Sequence, residues 1–167
     1  CGARAAAPLA RALEIVEEVT RRLDEHGMGV GFPVPGMLMG HWDGTPLAPA
    51  FRQDRDDYER ALRLAQAARR VSRAGGERYV DYYVGRLGFA VEYLRAVDSL
   101  HDASLAHGEG DRAGAVRLAR EALGRLRRSI EQWADAARDG PDLGAIATLN
   151  ALAYWPLREH LALLGGS

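Results

Sequence analysis

Apolar side chains recur every three or four positions along most of this chain, a spacing that predicts helices rather than strands. The first predicted helix runs from about Pro8 to His26. Leu9, Leu13, Ile15, Val16, Val19 and Leu23 mark its apolar side, and Glu14, Glu17, Glu18, Arg21, Arg22 and Asp24 the other. Pro8 suits a first helical position, where its missing N–H costs nothing, and Gly27 suits a stop. A second helix is predicted from Asp54, a good N-cap, to Gly75-Gly76, with Tyr58, Leu62, Ala65 and Val71 as its apolar side. The third, from Glu77 to about Ala106, carries Tyr79, Tyr83, Leu87, Val91, Leu94 and Val97, and its Gly85 and Gly88 leave room for a neighbouring helix. Asp111 caps a fourth helix that stops at Asp139-Gly140, and a fifth starts at Pro141. Pro156 is expected to kink or divide the fifth after Trp155, because its ring removes an N–H and clashes one turn back.

Short breaks between long helices imply antiparallel neighbours. The expected fold is therefore all-α: an antiparallel bundle of about five helices, with the three from Glu77 onward running up-down-up. Leu87, Val91, Leu94, Leu118, Ala122, Leu126, Ile130, Trp133 and Leu149 are its expected core. The organisation read from the pattern is one domain over 1–167. It comprises a first helix to 26, an irregular loop over 27–53, a bundle over 54–164 and a linker remnant at 165–167.

The stretch from 27 to 53 breaks the pattern. Six Gly and four Pro interrupt it, yet it holds Met28, Val30, Phe32, Val34, Met37, Leu38, Met39, Trp42, Leu47 and Phe51. A loop of this length inside a compact domain is usually functional or disordered, and its apolar content argues against disorder. It is expected to lie along a surface, and Phe32, Met37, Met39, Trp42 and Phe51 are the candidate contacts to another domain or a ligand. Within it, His41, Trp42 and Asp43 form the most site-like cluster. An indole face flanked by an imidazole and a carboxylate suits a sugar or other polar ligand. The plainer alternative is a turn at Asp43-Gly44, with Trp42 anchoring the loop to the core.

Composition narrows the chemistry. Apolar residues make up 47% of the 167 and charged residues 27%, with a net charge of −1. That balance leaves no electrostatic footprint for nucleic acid. No run of apolar residues is long enough to span a membrane. All 22 basic residues are Arg, so no Lys Schiff base and no phosphate-loop Lys can exist. The single cysteine, Cys1, excludes an internal disulfide. It fits either a fragment boundary or the anchored first residue of a mature lipoprotein.

The remaining clusters read as structural. His101 and His107 are six positions apart, about 600° around a helix, so they face different ways. Asp98 and His101 share a face, but no pair of Glu-x-x-His units appears, so neither a metal nor any other cofactor is expected. The histidines read as surface or helix-end residues. Glu17-Glu18 and Asp56-Asp57 read as solvated faces rather than a glycosidase pair. No catalytic residue is assigned. Tyr79, Tyr82, Tyr83 and Tyr93 read as core residues whose hydroxyls reach the rim.

Two stretches carry a resemblance. One holds Tyr79, Tyr83, Arg86, Leu87, Phe89, Tyr93 and Leu94. The other holds Asp142-Leu143-Gly144, Leu149-Asn150 and Tyr154-Trp155-Pro156-Leu157. From about Gln53 to the end the chain resembles the helical region that follows the catalytic barrel in large bacterial carbohydrate-active enzymes, the glucuronidase- and hexosaminidase-like glycoside hydrolases. The likeness lies in helix lengths and aromatic spacing, so no catalytic residue carries over. It implies a helical accessory domain of a secreted or surface enzyme, docked on a catalytic domain of the same precursor or on another protein. Carbohydrate is the ligand it implies. The alternative is a stand-alone binding or interaction module, lipid-anchored through Cys1.

Overall fold

A computed structural model describes residues 1–25, 36–44 and 46–165, apart from the side chains of residues 23, 24 and 37. Phe32 therefore lies outside the described residues, as do the side chain of Met37 and the expected stop at His26-Gly27. The elements in order are α1 (Ala3–Glu25), α2 (Gly36–Gly40), α3 (Phe51–Arg70), α4 (Glu77–Gly108), α5 (Arg112–Ala136), α6 (Gly140–Leu149), a π-helical turn (Asn150–Tyr154) and α7 (Trp155–Gly165). The fold is all-α, and no strand occurs among the described residues.

Each long pair is antiparallel, as side-chain partners show by running in opposite directions along the two helices. Between α1 and α3, Gly2 faces Arg73 at one end and Arg22 meets Asp54 and Asp57 at the other. Between α3 and α4 the ion pairs include Arg69–Asp81, Arg95–Glu59 and, at the other end, Arg52 and Arg55 with Asp98. Between α4 and α5, Phe89 stacks on Trp133 and Glu92 meets Arg128 and Arg125.

Helix α4 serves two apolar cores. Its first half gives Val80 and Leu87 to a core shared with Leu9, Ile15 and Val19 of α1 and Ala61, Ala65 and Ala68 of α3. From Phe89 onward it gives Phe89, Tyr93, Val97 and Leu100 to a core shared with Leu126, Ile130 and Trp133 of α5 and with Leu149, Ala153 and Leu157. Most of the expected core is found here. Leu87 belongs to the first cluster, Leu94 packs half-buried on the second, and Leu118 is half-buried.

The α4–α5 contact is close because α4 is notched by glycine. A Cβ on Gly85 would stand 2.3 Å from the Cβ of Ala136 and 3.0 Å from the Gln132 carbonyl oxygen. A Cβ on Gly88 would instead meet the end of the Gln132 side chain, at 1.6 Å from Oε1. Ala136 can yield only if α5 moves, whereas Gln132 can swing aside. Gly85→Ala is therefore expected to cost about 1–3 kcal/mol by overpacking. Gly88→Ala should be neutral or stabilising, since Ala gains about 1 kcal/mol of helix propensity over Gly. Urea denaturation of the two variants checks the contrast.

Several expected boundaries move, each for a physical reason. Helix α1 begins at Ala3, so Pro8 sits inside it. The run Ala3-Arg4-Ala5-Ala6-Ala7 is strongly helix-forming, and Gly2 O accepts from both Ala5 N and Ala6 N at 3.1 Å. Helix α3 begins at Phe51 with Ala50 as N-cap. Asp54 is thus not the cap but a buried acid of the first turn, which receives Arg22 Nε at 2.8 Å. The π turn, rather than a break after Trp155, accommodates Pro156. Trp155 N reaches back to Asn150 O, and the widened turn relieves the clash between the proline ring and the carbonyl one turn earlier. Gly165 is the last residue of α7 and not part of a linker; residues 166–167 lie outside the described residues.

The stretch assigned to a loop over 27–53 contains α2 and the start of α3. Leu38 of α2 is fully buried, and Phe51 is 7% exposed in the same core. Phe51 is thus an interior residue rather than a contact for a partner. Its place at the first turn of α3 points it into the bundle.

Candidate functional site

The antiparallel order brings the C-terminal ends of α4 and α7 to one pole of the bundle, beside the start of α5 and the turn that follows α2. Asp43-Gly44 forms that turn as its chemistry suggests, with Gly44 at φ +94°, a conformation that glycine adopts without strain. The turn is pinned from α4, where Ser104 Oγ donates to Trp42 O at 2.7 Å. Trp42 is half-buried and packs partly on the core. Anchoring the turn and presenting an aromatic surface are therefore both done by this one side chain.

The Trp42 ring touches two imidazoles. His107, exposed at the end of α4, is 5.1 Å away between centroids and tilted by 34°. His160 of α7 is 4.3 Å away and edge-on at 61°. A cavity of about 430 Å³ opens beside them, closed by Arg112 and by Leu163 and Leu164. Arg112 donates through Nε and Nη2 to Leu164 O, at 3.2 and 2.9 Å. A cation at the helix C-terminus both satisfies an orphan carbonyl and complements the helix dipole.

His160 holds the unusual chemistry. Its Nε2 is buried and has no hydrogen-bond partner. Burial holds the ring below the ordinary imidazole range; the Asp43 carboxylate opposes this and the neighbouring His107 ring adds to it. The wall of the pocket is thus an aromatic surface with the Asp43 carboxylate beside it and the Arg112 guanidinium at its edge. It can stack on the apolar face of a ring and hydrogen-bond to the groups at that ring's edge. It contains no nucleophile–base pair and no pair of facing carboxylates among the described residues. Nor do three His, Cys, Asp or Glu side chains converge there at metal-ligand spacing.

The expected site residues divide accordingly. Trp42 and Asp43 belong to this pole, Asp43 exposed and Trp42 half-buried. His41 is buried, at 8% exposure, so it supports the turn from within. Met39 is half-buried on the core. Reading the other histidines as surface or helix-end residues holds for His107, whereas His101 and His160 are half-buried with one ring nitrogen each buried and unpartnered. Asp57 is not solvated either, being held by Arg22 and Arg60 at 2.5 and 2.9 Å.

His107, Arg112 and His160 were missed as site residues because they stand far apart in sequence. The signal that could have found them is topological: in an up-down-up arrangement the first and third helices end at the same pole.

Two further polar clusters are structural. Asp142 at the first turn of α6 accepts Trp133 Nε1 at 2.9 Å, Arg138 N at 3.0 Å and Arg86 Nη1 at 3.1 Å. Burial raises its pKa, but those donors and the Arg86 and Arg138 charges outweigh burial and hold the carboxyl below its usual range. At the far pole Tyr79, Tyr82 and Tyr83 cluster edge to face, with Arg138 4.6 Å over the Tyr82 ring. Tyr93 is buried, whereas Tyr79 is 49% exposed and is not a core residue.

No described helix is long and apolar enough to cross a membrane. Comparison of the chain with protein-family models, curated proteins and solved structures gives no match.

Proposed function

We propose that this chain is a helical accessory domain of a carbohydrate-active enzyme, contributing ligand binding rather than catalysis, with the Trp42 pocket as its binding face. The observation that carries this reading is the half-buried indole of Trp42, in contact with two imidazoles at the wall of a 430 Å³ cavity. Indole faces stack well on the apolar side of sugar rings, and a small number of fixed polar groups sets orientation. The resemblance of residues 53 onward to helical regions of glycoside-processing enzymes supplies the sugar class. Docking on a catalytic domain through Phe51 forms no part of the proposal, since that side chain is interior.

Calorimetric titration tests it. The chain, beside Trp42→Ala, is titrated with soluble oligosaccharides of neutral, amino and uronic sugars. At least one class should bind, and Trp42→Ala should weaken that binding tenfold or more, which corresponds to about 1.4 kcal/mol, while circular dichroism stays unchanged. Absence of heat with every class would overturn the sugar reading. Equal binding by Trp42→Ala would overturn the site.

A further inference from the structure

We propose that the pole built around Trp42 is a pH-operated latch: protonation of His160 frees the end of α7 from the 41–44 turn. This goes beyond the binding role above and needs nothing to be bound.

The latch rests on three observations of geometry. First, α7 meets the turn at the His160 ring, which stands edge-on to Trp42 at 4.3 Å. Second, His160 Nε2 is buried without a partner. An unpartnered aromatic nitrogen is tolerable when neutral, but a proton there would create a buried N–H donor and a positive charge with no acceptor. Third, the facing groups are mostly cationic or can become so. From α4 comes His107, which also touches the indole, and from α5 comes Arg112, already on Leu164 O. The turn contributes Asp43, the one carboxylate whose charge favours a protonated His160, together with the buried His41. On α7 itself Glu159 is exposed, and Arg158 is occupied over the Trp155 ring at 4.7 Å. Asp43 is exposed, so solvent weakens its pull.

The sign follows from linkage. A histidine that is harder to protonate in the folded state binds fewer protons there than in the unfolded chain. Closure is therefore most stable above the imidazole range and weakens as pH falls through it. The cheapest relief is local. Turning the His160 ring into water separates the end of α7 from Trp42 and leaves the Leu126–Trp133–Leu149 core in place.

Fluorine NMR of the whole chain, with 5-fluorotryptophan at Trp42, Trp133 and Trp155, reads the latch without any ligand. Trp42→Phe and Trp155→Phe assign the signals. Between about pH 8 and pH 5 the Trp42 signal should move along a single titration curve while the Trp133 signal stays still. His160→Gln should abolish that curve. His107→Gln removes a neighbour that can carry like charge, so it should keep the Trp42 curve and move its midpoint up, whereas Asp43→Asn removes the attracting charge and should move it down. Both residues are exposed, so these two variants decide the matter even if His160→Gln folds poorly. A Trp42 signal that ignores pH would overturn the latch. So would midpoints shifted the same way by both variants, or Trp42 and Trp133 signals that move together.

Discussion

Trp133→Ala is expected to be the most destabilising single change in the described structure, at about 3–5 kcal/mol. The side chain is 1% exposed. Its ring packs against Phe89 at 4.4 Å, tilted by 53°, and carries the Arg86 guanidinium 4.0 Å from its centroid. Truncation would empty the centre of the larger core and remove the indole N–H from Asp142. Trp133→Phe separates the two losses, because it keeps most of the ring volume and deletes only the donor. It should cost about 1–3 kcal/mol at neutral pH, the range for leaving a buried polar group without one partner.

The two variants also differ in their dependence on acid. Asp142 is held below its usual range in the fold, so its contribution is present above the unfolded value of about 3.9 and is lost as pH falls through the folded one. The gap between wild type and Trp133→Phe should therefore narrow below about pH 4. The gap between wild type and Trp133→Ala should largely persist, because a cavity does not titrate. Urea denaturation at a series of pH values reads both gaps.

Arg22→Ala should rank second, at about 3 kcal/mol, the lower end of the range for breaking a buried ion pair. Arg22 joins α1 to α3, donating to Asp54 Oδ1 at 2.8 Å and Asp57 Oδ2 at 2.5 Å, with the Asp54 side chain only 5% exposed. Burial disfavours its charge, but the hydrogen bonds to the two carboxylates more than reverse this and raise its pKa. Removal would leave Asp54 buried beside Asp57 with its cation gone. Arg22→Leu combined with Asp54→Leu should recover most of the loss, because a matched apolar pair carries no desolvation penalty. If the single variant loses less than about 1 kcal/mol, in the range of a surface pair, α1 is not held in the way described.

The amphipathic spacing of Leu9, Ile15 and Val19, or of Leu126, Ile130 and Trp133, made most helices legible, since one face of each does pack inward. Gly85 was legible for a related reason: a residue without Cβ in mid-helix makes sense only where something comes close. The start of α3 was not legible. An aspartate ahead of an apolar stripe suits a cap, and only the distant Arg22 makes Asp54 more useful inside the first turn. Phe51 was misplaced because its neighbours are rich in Gly and Pro, although its own position begins a helix. Trp42 and Asp43 were recognisable from local chemistry. His107, Arg112 and His160 were not, because their meeting depends on which helices end at the same pole.

Under the proposed function, the Trp42 pole is the place where this bundle meets its ligand. Chemical-shift mapping of the isotope-labelled chain against the tightest-binding oligosaccharide tests that most directly. Perturbations should concentrate on Trp42, His107, Arg112, His160 and Leu163, which come from four separate segments and meet only at this pole, and should vanish in Trp42→Ala. Perturbations centred instead on the Tyr79–Tyr82–Tyr83 cluster at the opposite pole, or spread without a focus, would contradict it.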